Sequence, residues 1–350
     1  MYTLIQLGLT PFFSNQAASS AVLGRVAAEH RGGNYDIWAH NAVGRAHLPN
    51  LTTPDGNIPA VGDWVVLSGE LSEDFVRIET VLERATCFTR AAAGRESRLQ
   101  VIAANVDTVF VVCGLDNDYS VNRIERYVAR VWASGAQPVV VLSKSDLDED
   151  KEAHKAEVEG SCPGVDVVFL SSLSGEGIGA LEPWITEGKT VALVGSSGAG
   201  KSTLVNVLAG EELLKTSQVS PRDQRGCHTT THRQLAMLPS GAMLLDTPGM
   251  REFSLSDDEG VDEVFTDIAS WAAGCRYRDC GHEEEPGCAV RFAVEQGDLP
   301  AERLAHFLAL KREAAAWERR HDARQRKKNG KLWGQLHREV EAARKIKRGE

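Results

Sequence analysis

Residues 195–202 read GSSGAGKS, and this octapeptide restricts the fold more than any other feature of the sequence. It matches the pattern G-x-x-x-x-G-K-[ST] of a phosphate-binding loop, in which glycines let backbone N–H groups turn toward a phosphate. The apolar run at 190–194 predicts a strand directly before it, and residues 203–208 predict the start of a helix directly after it. This order predicts a nucleotide-binding α/β domain with a mostly parallel sheet covered on both faces.

Several positions of this loop have a defined chemistry. Lys201 is expected to contact the β- and γ-phosphates of a nucleotide, and the Ser202 hydroxyl is expected to bind Mg²⁺. Asp246 follows an apolar strand at 243–245, so its carboxylate is expected to hold the same Mg²⁺. Gly249 can offer its N–H to the γ-phosphate because no side chain blocks the approach. The predicted phosphate-site residues are Gly195, Ser196, Ser197, Gly198, Ala199, Gly200, Lys201, Ser202, Thr203, Asp246 and Gly249.

The tetrapeptide SKSD at 143–146 ends a predicted strand at 138–142 and resembles the [NT]-K-x-D motif of GTPases. The Asp146 carboxylate can accept hydrogen bonds from both N1–H and the N2 amine of guanine, a pair that adenine lacks. Lys144 is expected to lay its aliphatic stem along the base. Ser143 departs from the motif, because a hydroxyl reaches less far than the Asn amide that stands there in the family.

Two serines after the apolar strand at 165–170, Ser171 and Ser172, resemble the S-A-x motif that supports guanine O6 through a backbone N–H. The predicted base-site residues are therefore Ser143, Lys144, Ser145, Asp146, Ser171 and Ser172.

The order of these motifs is unusual. In ordinary GTPases the phosphate-binding motifs precede the guanine motifs, whereas here the guanine motifs come first. Such a circular permutation is physically permissible because the ends of a compact α/β domain usually lie close together. The chain resembles the circularly permuted GTPases, and its overall layout resembles the family of ribosome small-subunit-dependent GTPase A. The hexapeptide GCHTTT at 226–231 is similar to the G-x-H-T-T-T switch I of that family.

This resemblance implies a GTPase that acts in late maturation of the small ribosomal subunit, binds its rRNA and cycles between GTP and GDP. Thr230 is the switch I residue expected to close over Mg²⁺ and the γ-phosphate. Met250 stands after D-x-P-G, where Ras-like enzymes have a glutamine that orients water. An apolar thioether cannot do this, so His228 is the candidate for that role, since imidazole accepts protons near neutral pH.

Three thiols and one imidazole lie within fourteen residues, as Cys275-x₄-Cys280-x-His282-x₅-Cys288. Four soft ligands suit a closed tetrahedral Zn²⁺ site, with no position left for a substrate water. We expect one structural zinc ion per chain, which would stabilise a small loop without a core of its own.

Three domains are expected. Residues 1–95 show short strand candidates at 24–28, 35–39, 63–67 and 75–81, which predict an OB-like β-barrel that binds RNA. Residues 96–258 form the permuted GTPase domain. Residues 259–350 form a helical zinc-binding domain, with predicted helices at 261–273 and 301–317 and a basic tail.

The net charge of −10 is unevenly distributed. Residues 311–350 hold 14 Lys/Arg and 6 Asp/Glu, a net charge of +8, which favours contact with a polyanion such as rRNA. Apolar runs are too short for a membrane span, and seven cysteines, an odd number, do not suggest a secreted disulfide framework. We expect a cytoplasmic monomer without membrane contact.

Two other functions fit parts of this pattern. A P-loop ATPase or small-molecule kinase would share Lys201 and Ser202, but Asp146 argues against an adenine nucleotide. An RNA-binding zinc protein that holds nucleotide without hydrolysing it would share the Cys/His loop. The joint presence of Lys201, Ser202 and Asp246 argues against that alternative.

Overall fold

The computed structural model describes residues 1–48, 52–53, 57–72, 76–91, 99–117, 119–148, 150–213, 234–246, 264–301, 303–312 and 315. Within these residues, eleven strands form one sheet and two more pair as a separate hairpin. The strands are β1 (Val22–His30), β2 (Asn34–Ala39), β3 (Ala42–His47), β4 (Trp64–Leu67), β5 (Ile78–Val81), β6 (Cys87–Ala91), β7 (Leu99–Ala104), β8 (Thr108–Gly114), β9 (Gln137–Ser143), β10 (Asp166–Leu170), β11 (Thr190–Val194), β12 (Gln234–Met237) and β13 (Met243–Asp246).

Apart from the short α1, the described helices lie after residue 120. They are α1 (Pro11–Ser14), α2 (Val121–Ala133), α3 (Lys151–Ser161), α4 (Lys201–Ala209), α5 (Thr266–Ala272), α6 (Ala289–Gln296) and α7 (residues 303–312). Two 3₁₀ turns, Ser145–Leu147 and Ile178–Trp184, follow β9 and β10. The described helices include none long and apolar enough to cross a bilayer.

Five neighbouring strands in the order β10-β9-β8-β11-β13 run parallel, and β12 joins the end of this set antiparallel. Parallel strands place their carboxyl ends at one edge of the sheet, which we call the carboxyl edge. The predicted α/β fold with a parallel sheet is confirmed. Since ligands of open α/β sheets bind at this edge, it is the place to look for a site.

Alternate side chains of β8 belong to two hydrophobic clusters, because successive residues of a strand point to opposite faces. One cluster contains the buried face of α2 and the other contains the buried face of α4. Members on the α2 side include Val109, Val111, Cys113, Ile124 and Val128, and those on the α4 side include Phe110, Val112, Leu204 and Leu208. The sheet is thus covered on both faces, as predicted.

The first five strands form the predicted OB-like barrel. Strand β1 pairs with both β2 and β4, β2 pairs with β3, and β4 pairs with β5. An isolated bridge between His47 and Arg77 brings the end of β3 against the start of β5. The interior holds its own apolar cluster, which includes Val26, Tyr35, Ile37, Val65 and Ile78.

The barrel and the parallel sheet are joined through hydrogen-bonded strands. Ala28 of β1 pairs with Gln234 of β12, so one sheet runs from β10 to β3. Next to this junction lies the buried side chain of Arg25. Its guanidinium donates to the Leu7 carbonyl at 2.6 Å, the Asn105 carbonyl at 2.9 Å and the Thr190 hydroxyl at 2.7 Å. We call this arrangement the barrel junction.

The C-terminal helices pack on α2 and are held by Arg303 of α7. Its guanidinium donates to the buried Glu125 carboxylate at 2.5 Å and forms a bidentate pair with Asp267 of α5. It also donates to the Val264 and Ser161 carbonyls, both at 3.3 Å. One side chain therefore ties α5 and α7 to α2 and α3, and we call this the C-terminal junction.

Candidate active site and metal centre

The phosphate-binding loop follows β11 directly at the carboxyl edge, and α4 begins at Lys201. Gly195 has φ 141°, and a Cβ there would lie 2.1 Å from the Val112 carbonyl oxygen. Gly200 has φ 91°, a conformation that residues with a side chain rarely adopt. The loop therefore keeps its backbone close to the sheet and leads directly into the N-terminus of α4, a place that favours an anion.

Lys201 spans this loop. Its ammonium group donates to the Gly195 carbonyl at 2.8 Å and to the Ser196 carbonyl. The predicted phosphate ligand is thus held over the loop by its own backbone, with a half-buried side chain. Ser202 and Thr203 follow in the first turn of α4, where hydroxyl oxygens lie beside the unpaired N–H groups of the helix start.

The base motif and the phosphate loop are in direct contact through Ser143. Its buried Oγ lies 2.6 Å from the Ala199 carbonyl oxygen and 3.3 Å from that of Cys113, so its single proton goes to the nearer acceptor. A Cβ at Gly200 would lie 3.6 Å from the same Oγ. The hydroxyl that stands in place of Asn therefore connects β9 to the loop after β11.

The rest of the base motif lies in the 3₁₀ turn after β9. Lys144 has φ 59°, an uncommon left-handed conformation for a residue with a side chain. Its ammonium group lies 2.5 Å from Asp116 Oδ2. The Asp146 side chain is exposed, and Ser145 between them is buried. An exposed carboxylate beside an immobilised lysine is suited to a base that presents two donors.

The two serines after β10 lie beside this turn, because Leu170 is paired with Ser143 in the sheet. The Ser171 side chain is buried and accepts a hydrogen bond from the Ser174 N–H at 3.3 Å. The Ser171 carbonyl accepts from the Gly175 N–H at 2.9 Å. These bonds fold residues 171–175 into a tight loop at the carboxyl edge that carries Ser172.

Four predicted residues remain: Asp246, which lies at the end of β13, and three that the structure does not describe. Asp246 ends β13, the parallel neighbour of β11, one residue past the Leu245–Ala192 pair, so its backbone lies beside the last residues of β11 before the phosphate loop. His228, Thr230 and Gly249 lie outside the described residues.

The predicted metal ligands come together at the start of α6. Cys275 Sγ and Cys288 Sγ lie 3.9 Å apart, and His282 Nδ1 lies 3.6 Å and 3.4 Å from them. The four ligand atoms, with that of Cys280, all lie within 4.8 Å of one another. A tetrahedral ion with Zn–S bonds of about 2.3 Å holds its sulfur ligands about 3.8 Å apart. The spacing fits such an ion.

The metal centre is supported by its surroundings. Cys288 caps α6, where its Sγ accepts from the Arg291 N–H at 3.5 Å. The His282 ring lies 6.2 Å from that of Phe307 of α7, measured between centroids. Hydrogen bonds to a ligating sulfur and packing around an imidazole are the features that orient metal ligands.

Sequence reasoning missed three residues that organise these sites. Asp116 holds Lys144. Arg303 fixes the C-terminal helices, and the buried Glu125 carboxylate on α2 accepts its hydrogen bond. A charged residue at position 125 on the otherwise apolar face of α2 was a signal for a buried ion pair. Asp116 and Arg303 gave no such signal, because their partners are 28 and 178 residues away.

Comparisons with known proteins agree with this geometry. The family model described as RsgA GTPase matches residues 81–256. A protein of Opitutus terrae, named small ribosomal subunit biogenesis GTPase RsgA, is 45% identical over 337 residues, which cover 91% of this chain and 92% of that protein. A protein of the same name from Xylella fastidiosa is 51% identical over 254 residues, or 72% of this chain and 73% of its own.

Solved structures give the same fold. The crystal structure of YjeQ from Thermotoga maritima has a TM-score of 0.62 and 25% identity, and the match covers 84% of this chain and 99% of that one. A structure described as YloQ, a circularly permuted GTPase, also has a TM-score of 0.62, with 24% identity over 85% of this chain and 96% of that one. The permuted order of the motifs is therefore a property of a known fold.

Proposed function

The chain belongs to the RsgA GTPase family, and we propose on this basis that it hydrolyses GTP to GDP and phosphate in the biogenesis of the small ribosomal subunit. The observation that carries this proposal is the contact between the two halves of the site. The Ser143 hydroxyl lies 2.6 Å from the Ala199 carbonyl oxygen, so the base motif and the phosphate loop form one continuous edge. A purine nucleotide needs both at once.

The residues of this edge have separate tasks. Backbone N–H groups of residues 195–203 and the Lys201 ammonium bind the phosphates, and the first turn of α4 adds its partial positive charge. Asp146 accepts the two guanine donors, Lys144 covers the base, and the backbone near Ser171 and Ser172 supports O6. Ser143 holds the two motifs in register, with fewer hydrogen bonds than an amide would make.

The oxygen-bearing residues at this edge suit a hard cation. Ser202 in the first turn of α4 and Asp246 at the end of β13 supply a hydroxyl and a carboxylate, the ligand types that Mg²⁺ prefers, with Thr230 as the third protein ligand. When bound with GTP, Mg²⁺ neutralises charge that develops on the β- and γ-phosphates. Gly249 offers its N–H to the γ-phosphate, since it has no side chain to block the approach.

His228 and Thr230 complete the catalytic proposal. Met250 has no polar atom that orients water as glutamine does, and His228 in the GCHTTT segment supplies an imidazole instead. Thr230 closes over the γ-phosphate. Replacement of His228 by Ala is expected to lower kcat for GTP, both alone and in the presence of ribosomal subunits, and unchanged values of both would remove His228 from the mechanism.

The C-terminal cluster is proposed to hold one structural Zn²⁺. The donor set of three thiols and one imidazole, and the 3.9 Å between two of its sulfurs, both match a closed tetrahedral site. Four protein ligands leave no position for substrate, so this ion would contribute to folding and not to hydrolysis.

We propose three domains: the barrel at residues 1–95, the GTPase domain at 96–258 and the zinc domain at 259–350. Contact with rRNA is proposed for the barrel and for the basic tail that begins at Lys311. Residues 311–350 carry 14 Lys/Arg, which gives a salt-dependent attraction to phosphates without sequence preference. We further propose that the protein acts as a cytoplasmic monomer. The relatives' names give the small ribosomal subunit as the object of their activity, and this subunit is the proposed partner here.

The test is phosphate release from GTP with and without purified small ribosomal subunits, with ATP as the competing substrate and Lys201→Ala as the inactive variant. Stimulation by the subunit that is specific for GTP is expected. A rate of GTP hydrolysis that the subunit does not change would support GTPase activity but reject the small ribosomal subunit as the partner. Equal hydrolysis of ATP would reject the role of Asp146, and no hydrolysis under any condition would reject the enzyme.

A further inference from the structure

Lys144 is immobilised by a carboxylate outside the predicted guanine motif. We infer that Asp116 is a positioning residue for guanine recognition, which acts by holding the Lys144 side chain where the base binds. This inference rests on the proposed nucleotide site and names a residue that none of its motifs contains.

The two residues are brought together by the register of neighbouring strands. Gly114 at the end of β8 is paired with Ser143 at the end of β9, and the Leu115 N–H donates to the Ser143 carbonyl at 2.9 Å. Lys144 directly follows Ser143, and Asp116 is the second residue after Gly114. Their Oδ2 and Nζ atoms lie 2.5 Å apart, with about a third of each side chain exposed.

The space around this pair is closely fitted. A Cβ at Gly114 would lie 3.0 Å from Asp116 Oδ1 and 3.4 Å from Lys144 Cδ, so the lysine stem passes over the glycine. Lys144 itself has φ 59°, which costs conformational energy for a residue with a Cβ. Strain of this kind persists where the surroundings determine the conformation. The contacts with Gly114 and Asp116 show that the lysine side chain runs from the end of β9 toward the end of β8.

The physical effect is preorganisation. A lysine has four rotatable bonds in its stem, and ordering it when the base binds would cost entropy and weaken binding. Asp116 orders the stem before the nucleotide arrives. The carboxylate also keeps the ammonium group at the end of the stem, so that the methylene groups face the base and the charge does not.

The alternative is an ordinary surface ion pair that contributes a little to stability. The same strand supplies a control for it. Asp107, directly before β8 at the opposite end of the sheet, accepts from Lys189 at 2.9 Å and from the Thr190 N–H at 2.8 Å. Its side chain is 37% exposed, close to the 32% of Asp116, although Lys189 is more exposed than Lys144. If ion pairs at strand ends act on nucleotide binding only through general stability, removal of either carboxylate would have the same effect.

The experiment compares the Kd for fluorescent GDP in the full-length wild type, Asp116→Asn, Lys144→Met, the double variant and Asp107→Asn. Asp116→Asn is expected to weaken GDP binding roughly threefold to tenfold, the scale of ordering one long side chain. KM for GTP should rise by a similar factor while kcat is unchanged, because the pair does not contact the reacting phosphate. Asp107→Asn should leave Kd within about twofold of the wild type.

The double variant separates positioning from other effects. If Asp116 acts through Lys144, Asp116→Asn will cause no further loss of affinity in the Lys144→Met background. Equal losses in both backgrounds would overturn the inference, as would wild-type affinity in Asp116→Asn. A wild type that itself fails to bind GDP would reject the proposed function, and the inference with it.

Discussion

The barrel junction and the C-terminal junction attach two different domains to the same GTPase sheet, each around one arginine. At the barrel junction the sheet itself continues, since β1 pairs with β12, and Arg25 bonds to three carbonyls, including that of Gly62 at 3.3 Å, and a hydroxyl. At the C-terminal junction the described chain has no strand pairing, and Arg303 bonds to two carboxylates. Where backbone hydrogen bonds fix the orientation, neutral acceptors are enough. Where helices pack on helices, ion pairs fix it.

The pKa values of the two arginines shift in opposite directions, because Arg25 bonds to neutral acceptors and Arg303 to carboxylates. Burial lowers the pKa of Arg25 to about 10, and the more distant charges of Asp107 and Asp63 offset it in part. Burial also acts to lower the pKa of Arg303, but its hydrogen bonds and charge interactions with Asp267 and Glu125 leave that pKa above the ordinary value. The barrel junction thus tolerates a poorly compensated cation, whereas the C-terminal junction depends on its charge.

Removal of the metal is expected to have the largest effect, and to affect one junction alone. Chelation in the absence of nucleotide should expose backbone amides of residues 264–312 to hydrogen exchange, because this region has a small core and structural zinc contributes several kcal/mol or more to folding. The barrel, residues 22–81, should keep its protection. Exchange measured by mass spectrometry resolves the two regions.

A matched cysteine variant provides the control for chelation. Cys280→Ser removes one ligand and should reproduce the loss of protection, whereas Cys87→Ser, outside the cluster, should not. If protection of the barrel fell together with that of the C-terminal helices, the two junctions would be parts of one cooperative unit.

Arg303→Ala is expected to be the next largest change. It removes the guanidinium from the Glu125 carboxylate, whose side chain is 3% exposed, but leaves His306 Nδ1 at 2.6 Å as a partner. The expected cost is therefore at the low end of that for a broken buried pair, about 3 kcal/mol. The exposed pair of Arg312 and Glu283 offers a comparison, and Arg312→Ala should cost less than about 1 kcal/mol. Urea unfolding measures both.

A second substitution shows whether the cost arises from the Glu125 charge, which Arg303→Ala leaves with His306 as a partner. Glu125→Gln added to Arg303→Ala removes that charge and should recover part of the lost stability. Equal stability of the single and double variants would show that packing of the arginine, not its charge, holds the junction.

Arg25→Met is expected to destabilise the protein by less, about 2 kcal/mol. The change leaves carbonyl acceptors of Leu7 and Asn105 unpaired, but it strands no charge and also removes the penalty of burying a cation. The exposed Arg45→Met variant is the control and should be close to neutral. A loss as large as that of Arg303→Ala would remove the distinction between the junctions.

The sequence indicated the local structure well where a motif or a period was strong. The phosphate loop, the base motif and the Cys/His set were found from spacing, and the strands β9, β10, β11 and β13 were each predicted within one or two residues. These features depend on neighbours in the chain. In contrast, β3 was missed, because Ala42–His47 contains few strand-forming residues and is held in the sheet by pairing with β2.

The two junctions could not be predicted because they depend on contacts between distant parts of the chain. Arg25 donates to Thr190, 165 residues away, and Arg303 to Glu125, 178 residues away. A single sequence shows a charged residue at each position but not its partner. For Ser143 the sequence suggested a shorter reach than Asn, whereas its contact with the Ala199 carbonyl required coordinates.

The smallest expected effect is a fall in the free energy of unfolding at alkaline pH, caused by Tyr35 in the barrel core. Burial, and then the charges of Glu29 and Asp63, raise the pKa of Tyr35 to about 12, against an ordinary value of about 10. Below pH 10 the phenol is protonated in the folded and unfolded chains alike. Between pH 10 and 12 the unfolded chain ionises first, so the free energy of unfolding falls as pH rises.

Tyr35→Phe removes this ionisation and should flatten the decline, with a difference from the wild type of about 1 kcal/mol by pH 11, which is what a pKa of about 12 instead of 10 gives at that pH. Urea unfolding at half-unit steps from pH 8 to 11 measures it, and the two curves should run parallel below pH 9.5. Because Tyr35 belongs to the barrel core and not to the C-terminal junction, hydrogen exchange in residues 264–312 should respond to pH identically in both proteins. A difference there would mean that alkaline loosening of the barrel passes through the sheet, and the two junctions would then be coupled.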